Sequence, residues 1–297
     1  MKSLTITSET ANTRLDICLA RAFPLQSRSY WQKLIKRGDI LINNKSETAH
    51  IHVCAGDIIT IAKQLQQPLL LPSYKLIHQA ENFLIIDKPA QTVVHPDSIH
   101  PQGTTLIDAI LRDFPDIRDV GSQKQRPGIV HRLDKNVSGV MVIARTNTMY
   151  QHLKHQFAQR TVVKQYIALV HGHVKELHKD ITIPITRSSR TGKMVARNQD
   201  HTAREAYTSY VLDRYIGPYS LLNVQIHTGR THQIRVHLYA IGHPVVGDTM
   251  YASKRLKHPK KLSRIFLHSH KLGFQDTSNV DQKFISPLPE DLTLFLS

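Results

Sequence analysis

The sequence predicts an α+β protein: a small helix-helix-strand unit, followed by a mixed, mainly antiparallel β-sheet domain with flanking helices and loops. Residues 14–63 contain two segments with helical spacing of apolar residues, followed by short alternating segments. Beyond residue 77, short β-rich runs recur and helical patterns are few. No strand–helix–strand rhythm connects these runs, which disfavours a parallel α/β sheet.

The first unit is predicted element by element. "RLDICLARAF", residues 14–23, has apolar residues at helical spacing. Residues 27–38 start with a serine that suits an N-cap and end at a glycine that suits a helix stop. "DILINN" and "DIITIA" alternate as short strands with a turn after the first. The predicted order is therefore helix, helix, strand, turn, strand.

The second part begins after a predicted linker over residues 64–76, which contains glutamine and proline and lacks periodicity. Helices are predicted over residues 105–114 and 148–160 from their apolar spacing. The predicted strands are "FLIID", "GIVHRL", "VMVIA", "QYIALVHG", "ITIPI", "AYTSYVL", "SLLNVQIHT" and "HQIRVHL".

The charge balance indicates a polyanionic partner. The 297 residues carry a formal net charge of +16, and nucleic acid is the first candidate for so basic a protein. Residues 187–197 contain four cations and residues 254–264 contain six, and neither stretch contains an acid. Both could be solvated surfaces, but together with the N-terminal cations they favour one extended RNA footprint. The 6% aromatic content disfavours a broad base-stacking platform.

Several other classes of function lack support. The sequence has no GxGxxG, Walker or GxSxG motif. Cys18 and Cys54 have no CxxC partner, which favours a reducing compartment, and the 19 histidines include no HExxH pattern, so no metal is expected. No apolar run approaches the length of about 18 residues that a membrane span needs. The expectation is a cytoplasmic protein without a membrane partner.

The N-terminal cations form a candidate RNA-binding face. Six Lys and Arg residues lie between Arg14 and Arg37, against one acid, Asp16. Charge alone leaves a solvated helix surface equally open. "RLDICLARAFPLQSRSYWQKLIKRGDILINNK" with "CAGDIITI" resembles the small RNA-binding domain named after ribosomal small-subunit protein four, here over residues 12–63. The RNA-contacting residues that this resemblance implies are Arg14, Ser27, Arg28, Lys33, Lys36 and Arg37.

Asp134 is the candidate reacting group of the second part. It lies in "GIVHRLDKNVSGVMVIAR" among cationic residues, in a loop between two predicted strands. An Asx turn is the ordinary alternative. We expect a strand arginine, Arg235, to hold the carboxylate by charge-assisted hydrogen bonds and to favour its ionised form, which can act as a nucleophile or a base. A cross-strand surface pair remains open for Arg235.

The motif set carries a second resemblance. "LIIDKPAQTVVHP", "RPGIVHRLDKNVSGVMVIAR", "KQYIALVHG" and "HTGRTHQIRVHLYAIGHPVVGDTMY" resemble the pseudouridine synthases that modify large-subunit ribosomal RNA, over residues 77–297. The resemblance implies that Asp134, Tyr166 and Arg235 are catalytic. It also implies that Arg132 fills the place of the flipped base, and Arg230 is a further candidate RNA contact. The sequence departs from the family pattern at Gln91, where glycine is usual, and at Val137, where threonine is usual.

The implied reaction is isomerisation of uridine in RNA to pseudouridine, without cofactor or metal. Asp134 would attack the sugar or the base, or act as a base on the ribose; Tyr166 would pack on the uracil, and Arg235 would hold Asp134. The expected partner is RNA, either 23S rRNA or a large-subunit assembly intermediate, with tRNA as the alternative. We expect a monomer.

Two other classes of protein compete with this interpretation. A noncatalytic ribosome-associated protein would explain the charge but not the set of Asp134, Tyr166 and Arg235. A metal-dependent nuclease needs clustered carboxylates. The loop holds one carboxylate, and the other candidates are scattered along the sequence at Asp87, Asp108, Asp113 and Asp248.

Overall fold

The computed structural model describes residues 2–23, 28–61, 71–96, 104–198, 200–252, 256, 259 and 262–296. The chain divides into two compact units. The N-terminal unit comprises Met1–Leu70 and Pro96–Thr104, and the C-terminal unit comprises Leu71–His95 and Thr105–Ser297. Part of the predicted linker lies outside the described residues. None of the described helices is long and apolar enough to cross a membrane.

The N-terminal unit follows the predicted element order and adds two short strands, one at its start and one after the predicted turn. Its elements are β1 (Lys2–Thr5), α1 (Leu15–Ala22), α2 (Arg28–Arg37), β2 (Ile40–Ile42), β3 (Lys45–Ser46) and β4 (Ile58–Ile61). The strands form an antiparallel sheet in the order β1-β4-β2-β3. Both helices bury their apolar positions in one core with the sheet, so helical spacing in α1 and α2 predicted the buried faces correctly. Cys18 lies in this core, whereas Cys54 is exposed.

The C-terminal unit is built on a nine-stranded sheet. Its elements are β5 (Lys75–Gln79), β6 (Phe83–Lys88), α3 (Leu106–Asp113), a 3₁₀ helix (Pro115–Asp119), β7 (Ser138–Ala144), α4 (Asn147–Gln159), β8 (Val163–His171), β9 (His178–Ile181), β10 (Ile185–Arg187), β11 (Met194–Ala196), β12 (Thr208–Ile216), β13 (Tyr219–Ile226), α5 (Gln233–Ala240), β14 (Leu267–Gln275), β15 (Asp281–Ile285) and α6 (Glu290–Leu296).

The strand order is β5-β6-β7-β14-β8-β13-β12-β9, with β15 also paired to β14. Strands β7 and β14 run parallel, and the other pairs of this sheet are antiparallel among the described residues. Every residue of β7 is buried, which explains its unbroken apolar run. The predicted α+β class with a mixed, mainly antiparallel sheet is confirmed.

Three predicted strands are wrong or incomplete. "GIVHRL" is irregular apart from a single bridge between Ile129 and Ile143. "HQIRVHL" is helical and lies in α5, where the alternating apolar residues are buried on most sides of the helix and therefore give no clear helical period. "ITIPI" is divided between β9 and β10, which belong to different sheets, because Pro184 has no N–H to continue the ladder. The basic stretch at 187–197 includes β11, which pairs with β10.

Candidate active site

Asp134 lies in a loop that is held at both ends. Leu133 and Val137 are each 3% exposed and fix the loop to the core next to β7. The backbone carbonyl of Asp134 accepts a hydrogen bond from the Val137 N–H at 3.1 Å, which closes the turn. The carboxylate does not close the turn: it points to a cation, so the structure does not support a simple Asx turn.

Arg235 is that cation. Its Nη1 donates to the Asp134 Oδ2 at 3.0 Å, and the side chain of Arg235 is 12% exposed. The predicted pairing of Asp134 and Arg235 is therefore present, but the prediction of a strand arginine is wrong, because Arg235 lies on α5. The pair is mostly desolvated, unlike an exposed cross-strand surface pair.

Asp248 holds the other edge of the arginine. Its carboxylate accepts from the Arg235 Nε at 2.6 Å and from Nη2 at 3.0 Å, a bidentate pair. Asp248 Oδ1 also accepts the N–H groups of Met250 and Tyr251, at 2.9 and 3.1 Å. Burial lowers the pKa of Arg235, but Asp248, and then Asp134, outweigh burial and raise it above its ordinary value. The sequence analysis considers Asp248 only as a possible metal ligand and does not predict its contact with Arg235.

Tyr251 and His232 complete the surroundings of the arginine. The Arg235 guanidinium carbon lies 5.0 Å from the centre of the Tyr251 ring. The Tyr251 hydroxyl and the His232 Nδ1 share a hydrogen bond of 2.8 Å, and His232 Nε2 is 3.8 Å from Asp134. Burial lowers the pKa of His232, so the imidazole is neutral at pH 7. These contacts leave Arg235 as the charged partner of Asp134.

Tyr166 is brought to the same region by sheet register. Ser269 of β14 pairs with Tyr166 of β8 on one side and with Gly139 of β7 on the other. Tyr166 is 7% exposed, and the side chain of its sheet neighbour Ser269 donates to the Val140 carbonyl at 3.2 Å. Burial, aided by the charge of Asp134, raises the pKa of the Tyr166 phenol, so it stays protonated at neutral pH. Strand β14 therefore joins β8, which carries Tyr166, to β7, which follows the Asp134 loop.

Lys88 ties the Asp134 loop to the segment after β6. Its fully buried Nζ donates to the carbonyls of Pro89 at 2.8 Å, Thr92 at 2.9 Å and Lys135 at 3.3 Å. The Lys135 carbonyl also accepts the Thr92 N–H at 3.0 Å. Burial lowers the pKa of Lys88 to about 7, partly offset by Asp134. Sequence reasoning missed Lys88, because nothing in its apolar strand marks a buried cation.

The two departures from the family pattern fit the local structure. Gln91 adopts a left-handed φ of 61°, a conformation that glycine takes at little cost and other residues at about 1–2 kcal/mol. The turn therefore keeps the shape that a glycine would allow. Val137 is buried beside β7, where its apolar side chain needs no hydrogen-bond partner.

A cavity of about 360 Å³ opens beside Tyr166. Arg132 and Arg230, the two predicted RNA contacts of this unit, both line it. Arg230 is fixed by the hydrogen bond from its Nε to the Glu205 carbonyl at 2.9 Å, whereas the Arg132 side chain is exposed. The structure thus gathers both arginines and Tyr166 around one opening.

In the N-terminal unit, two of the predicted RNA-binding residues donate hydrogen bonds to a buried carboxylate. Arg14 and Arg28 donate to the Asp16 carboxylate at 3.0 and 2.8 Å, and Gln32 donates to it at 2.6 Å. Asp16 is fully buried. The exposed cations Lys33, Lys36 and Arg37 follow on α2. Ser27, the sixth predicted contact, lies outside the described residues.

Comparison with known proteins identifies the larger unit. A model of the RNA pseudouridylate synthase family matches residues 82–240, a range that includes Asp134, Tyr166 and Arg235. The chain belongs to the RNA pseudouridylate synthase family. An S4 domain model matches residues 13–59, so the predicted N-terminal RNA-binding domain is confirmed as well.

Relatives of this synthase match over most of their length. An RNA pseudouridine synthase of Chloroflexus aurantiacus is 42% identical over 95% of this chain and 89% of that protein. The ribosomal large subunit pseudouridine synthase D of Nitrosomonas europaea is 36% identical over 99% of this chain and 86% of its own. The solved structure of human RNA pseudouridylate synthase domain containing 1 has a TM-score of 0.60 and 27% identity, over 75% of this chain and 87% of that one.

The protein is therefore an RNA pseudouridine synthase, an isomerase, and its RNA substrate follows from the synthase and S4 matches. The predicted resemblance is confirmed. A noncatalytic binding protein and a nuclease are no longer needed to explain the sequence.

Proposed function

We propose that this synthase isomerises uridines in 23S rRNA and that Asp134 is its reacting carboxylate. The observation that carries the proposal is the chain of contacts from Asp248 through Arg235 to Asp134, because it fixes one carboxylate oxygen against a buried cation. Such a fixed group needs little reorganisation when charge develops in the reaction.

The proposed roles of the other residues are consistent with their positions. Tyr166, buried and protonated, packs against the uracil, and Arg235 is the positioning residue for Asp134. During isomerisation the bond between N1 and the ribose breaks, the base turns and C5 bonds to the ribose. The C5 proton is then lost to solvent and N1 takes up a proton, so the product is an isomer of the substrate. Taking the uridine out of its stack costs a few kcal/mol, and Arg132 offsets this by occupying the gap.

Affinity comes from phosphate contacts. The proposal assigns an RNA-binding domain to residues 12–63, a linker to 64–76 and the catalytic domain to 77–297. In the first of these, Arg14, Arg28, Lys33, Lys36 and Arg37 contact phosphates, as does Arg230 in the catalytic domain. The name of the Nitrosomonas europaea relative, ribosomal large subunit pseudouridine synthase D, supports the ribosomal large subunit as the substrate. We further propose that the enzyme is a monomer and that it acts on rRNA in the cytoplasm.

Tritium release tests this proposal. Unmodified 23S rRNA and tRNA transcripts carrying 5-tritiated uridine are incubated with the wild type and with Asp134→Asn. We expect release from 23S rRNA by the wild type and none by Asp134→Asn, with rRNA binding near normal in both. Release by Asp134→Asn would remove Asp134 from the mechanism, and release from tRNA alone would overturn the rRNA assignment.

A further inference from the structure

Lys164 is a buried cation that the proposed mechanism does not use. It lies two residues before Tyr166 on the same face of β8, about 7 Å along the strand. The residue is 7% exposed and its side chain lines the cavity beside Tyr166. Among the described residues, no hydrogen bond or ion pair holds its ammonium group, which lies 5.6 Å from the centre of the Phe157 ring.

The cavity surrounds this ammonium group with further positive charge. Arg126, Arg132 and Arg230 line the cavity with Lys164, and none of the described lining residues is acidic. A buried charge without a counter-ion is unfavourable unless a partner arrives. The cavity is therefore prepared for an anion, and its opening lies next to the tyrosine against which the uracil is placed.

We propose that Lys164 binds a phosphodiester group of the RNA substrate, next to the uridine that enters at Tyr166. This inference rests on the proposed function, which places the uridine there. A distance of about 7 Å along β8 corresponds to roughly one nucleotide step, so the base and a flanking phosphate can be held by neighbouring side chains of one strand. The phosphate supplies the counter-ion that the cavity lacks.

The surroundings make this contact sensitive to pH. Burial, and then the charge of Arg160 at the end of α4, lower the pKa of Lys164 to about 8. His131 faces the same space but is neutral, because burial lowers its pKa to about 3. Burial lowers the pKa of His227, which directly follows β13, and raises the pKa of Tyr166 on β8, so neither changes charge near pH 8. The charged groups that remain are arginines, and His95 lines the same cavity.

Equilibrium binding tests the proposal without turnover. The dissociation constants of an unmodified 23S rRNA transcript and of polyuridylate are measured between pH 7 and pH 8.5 and at several salt concentrations. The variants are Lys164→Gln and Lys164→Arg. Lys154→Gln, which removes the same charge from an exposed position on α4, is the matched control.

We expect Lys164→Gln to weaken binding about tenfold at pH 7 and to lower the slope of log K against log salt by about 0.7–0.9. Wild-type affinity should fall as pH rises through 8, because the amine loses its proton. Lys164→Arg should bind as the wild type does at pH 7 and keep its affinity at pH 8.5. Lys154→Gln should keep the wild-type pH dependence.

Two results would overturn the proposal. One is an unchanged dissociation constant for a folded Lys164→Gln protein. The other is the same pH dependence in Lys164→Arg as in the wild type, which would assign the titration to another group. If Lys164→Gln does not fold, the second comparison decides alone. Loss of activity in Asp134→Asn is a separate readout, so the two proposals can fail independently.

Discussion

A single buried carboxylate, Asp248, sets the geometry of the arginine that faces Asp134. Its side chain is 1% exposed, and it holds two donor atoms of Arg235 and two backbone N–H groups. An arginine side chain has many rotamers, and burial restricts them only when its hydrogen-bond geometry is satisfied. Asp248 therefore acts through Arg235 and determines where the Asp134 carboxylate points.

Replacing Asp248 with asparagine should lower kcat about ten- to a hundredfold with little change in RNA affinity. The amide cannot accept two arginine hydrogen bonds as strongly, so Arg235 loses its fixed position. The change should also lower the free energy of unfolding by about 1–3 kcal/mol, since buried donors lose partners. Single-turnover tritium release and urea unfolding measure both effects.

The control is Asp213→Asn, which removes a carboxylate from an exposed pair with Arg214. This variant should leave kcat unchanged. If Asp248→Asn turned over at the wild-type rate, Arg235 would not need Asp248 for its position.

At the residue scale, the sequence predicted the members of local motifs and missed their partners. Asp134, Tyr166 and Arg235 lie in recognisable motifs, and the first and last of these residues are in contact. Asp248 lies 13 residues after Arg235, which it contacts. Ser269, which pairs with Tyr166 in the sheet, lies on a strand that is distant in sequence. No local pattern signals such pairings, because sheet register and helix position decide them.

The parallel pairing of β7 with β14 joins the Asp134 loop to Tyr166, because β14 also pairs with β8, which carries Tyr166. Gly139 permits it: a Cβ at this position would lie 2.2 Å from the Ser269 carbonyl oxygen, and its φ of +126° disfavours other residues. Gly139→Ala should therefore lower the free energy of unfolding of the C-terminal unit by about 3 kcal/mol or more. Thermal unfolding followed by circular dichroism measures this loss.

Gly217→Ala is the matched control, because Gly217 also has a positive φ, of 52°, but an added Cβ there meets nothing within 4 Å. The backbone cost alone should be about 1–2 kcal/mol. Equal losses in the two variants would show that the close approach of β7 and β14 does not contribute.

Helix α1 carries the acid that organises the N-terminal cations. Burial raises the pKa of Asp16, but hydrogen bonds from Gln32, Arg28 and Arg14 outweigh it and bring the value to about 2. The folded pKa lies below the unfolded one, so this contribution of about 2 kcal/mol is complete above pH 4 and is lost as pH falls toward 2. Asp16→Asn should remove it, which Trp31 fluorescence can follow because Trp31 is the single tryptophan and lies in this core.

The same substitution should weaken rRNA binding about three- to tenfold although it makes the protein more positive, because Arg14 and Arg28 lose their fixed positions. Glu9→Gln, an equal charge change at an exposed position of the same unit, should leave binding unchanged or slightly tighter. Tighter binding by Asp16→Asn would mean that net charge matters here and arginine position does not.

Helices and strands that bury one face are predicted best from the spacing of their apolar residues. The helices α1 and α2 bury one face, and their spacing predicts them, whereas α5 is buried on several sides and its sequence predicts a strand. The exposed edge strand β5 carries no apolar alternation and was not predicted. Periodicity thus fails where an element is either surrounded by protein or largely exposed.

The whole molecule combines two units, each with a hydrophobic core of its own. Residues 1–63 contain nine Lys and Arg and five Asp and Glu, a net charge of +4 out of the total of +16. Most of the positive charge therefore belongs to the remaining chain, which includes the cations of the cavity beside Tyr166. RNA affinity is expected to be shared between the units.

Deleting residues 1–63 should therefore weaken 23S rRNA binding without abolishing it. We expect KM to rise about ten- to a hundredfold while kcat stays near the wild-type value, because the Asp134 site lies wholly in the C-terminal unit. The salt slope should fall but stay well above zero, since a net charge of +12 remains from the +16 of the full chain. Circular dichroism of the truncated protein checks that the large sheet still folds. Unchanged rRNA affinity would show that the S4 unit does not bind this RNA, and loss of kcat in a folded protein would show that the site needs more than its own unit.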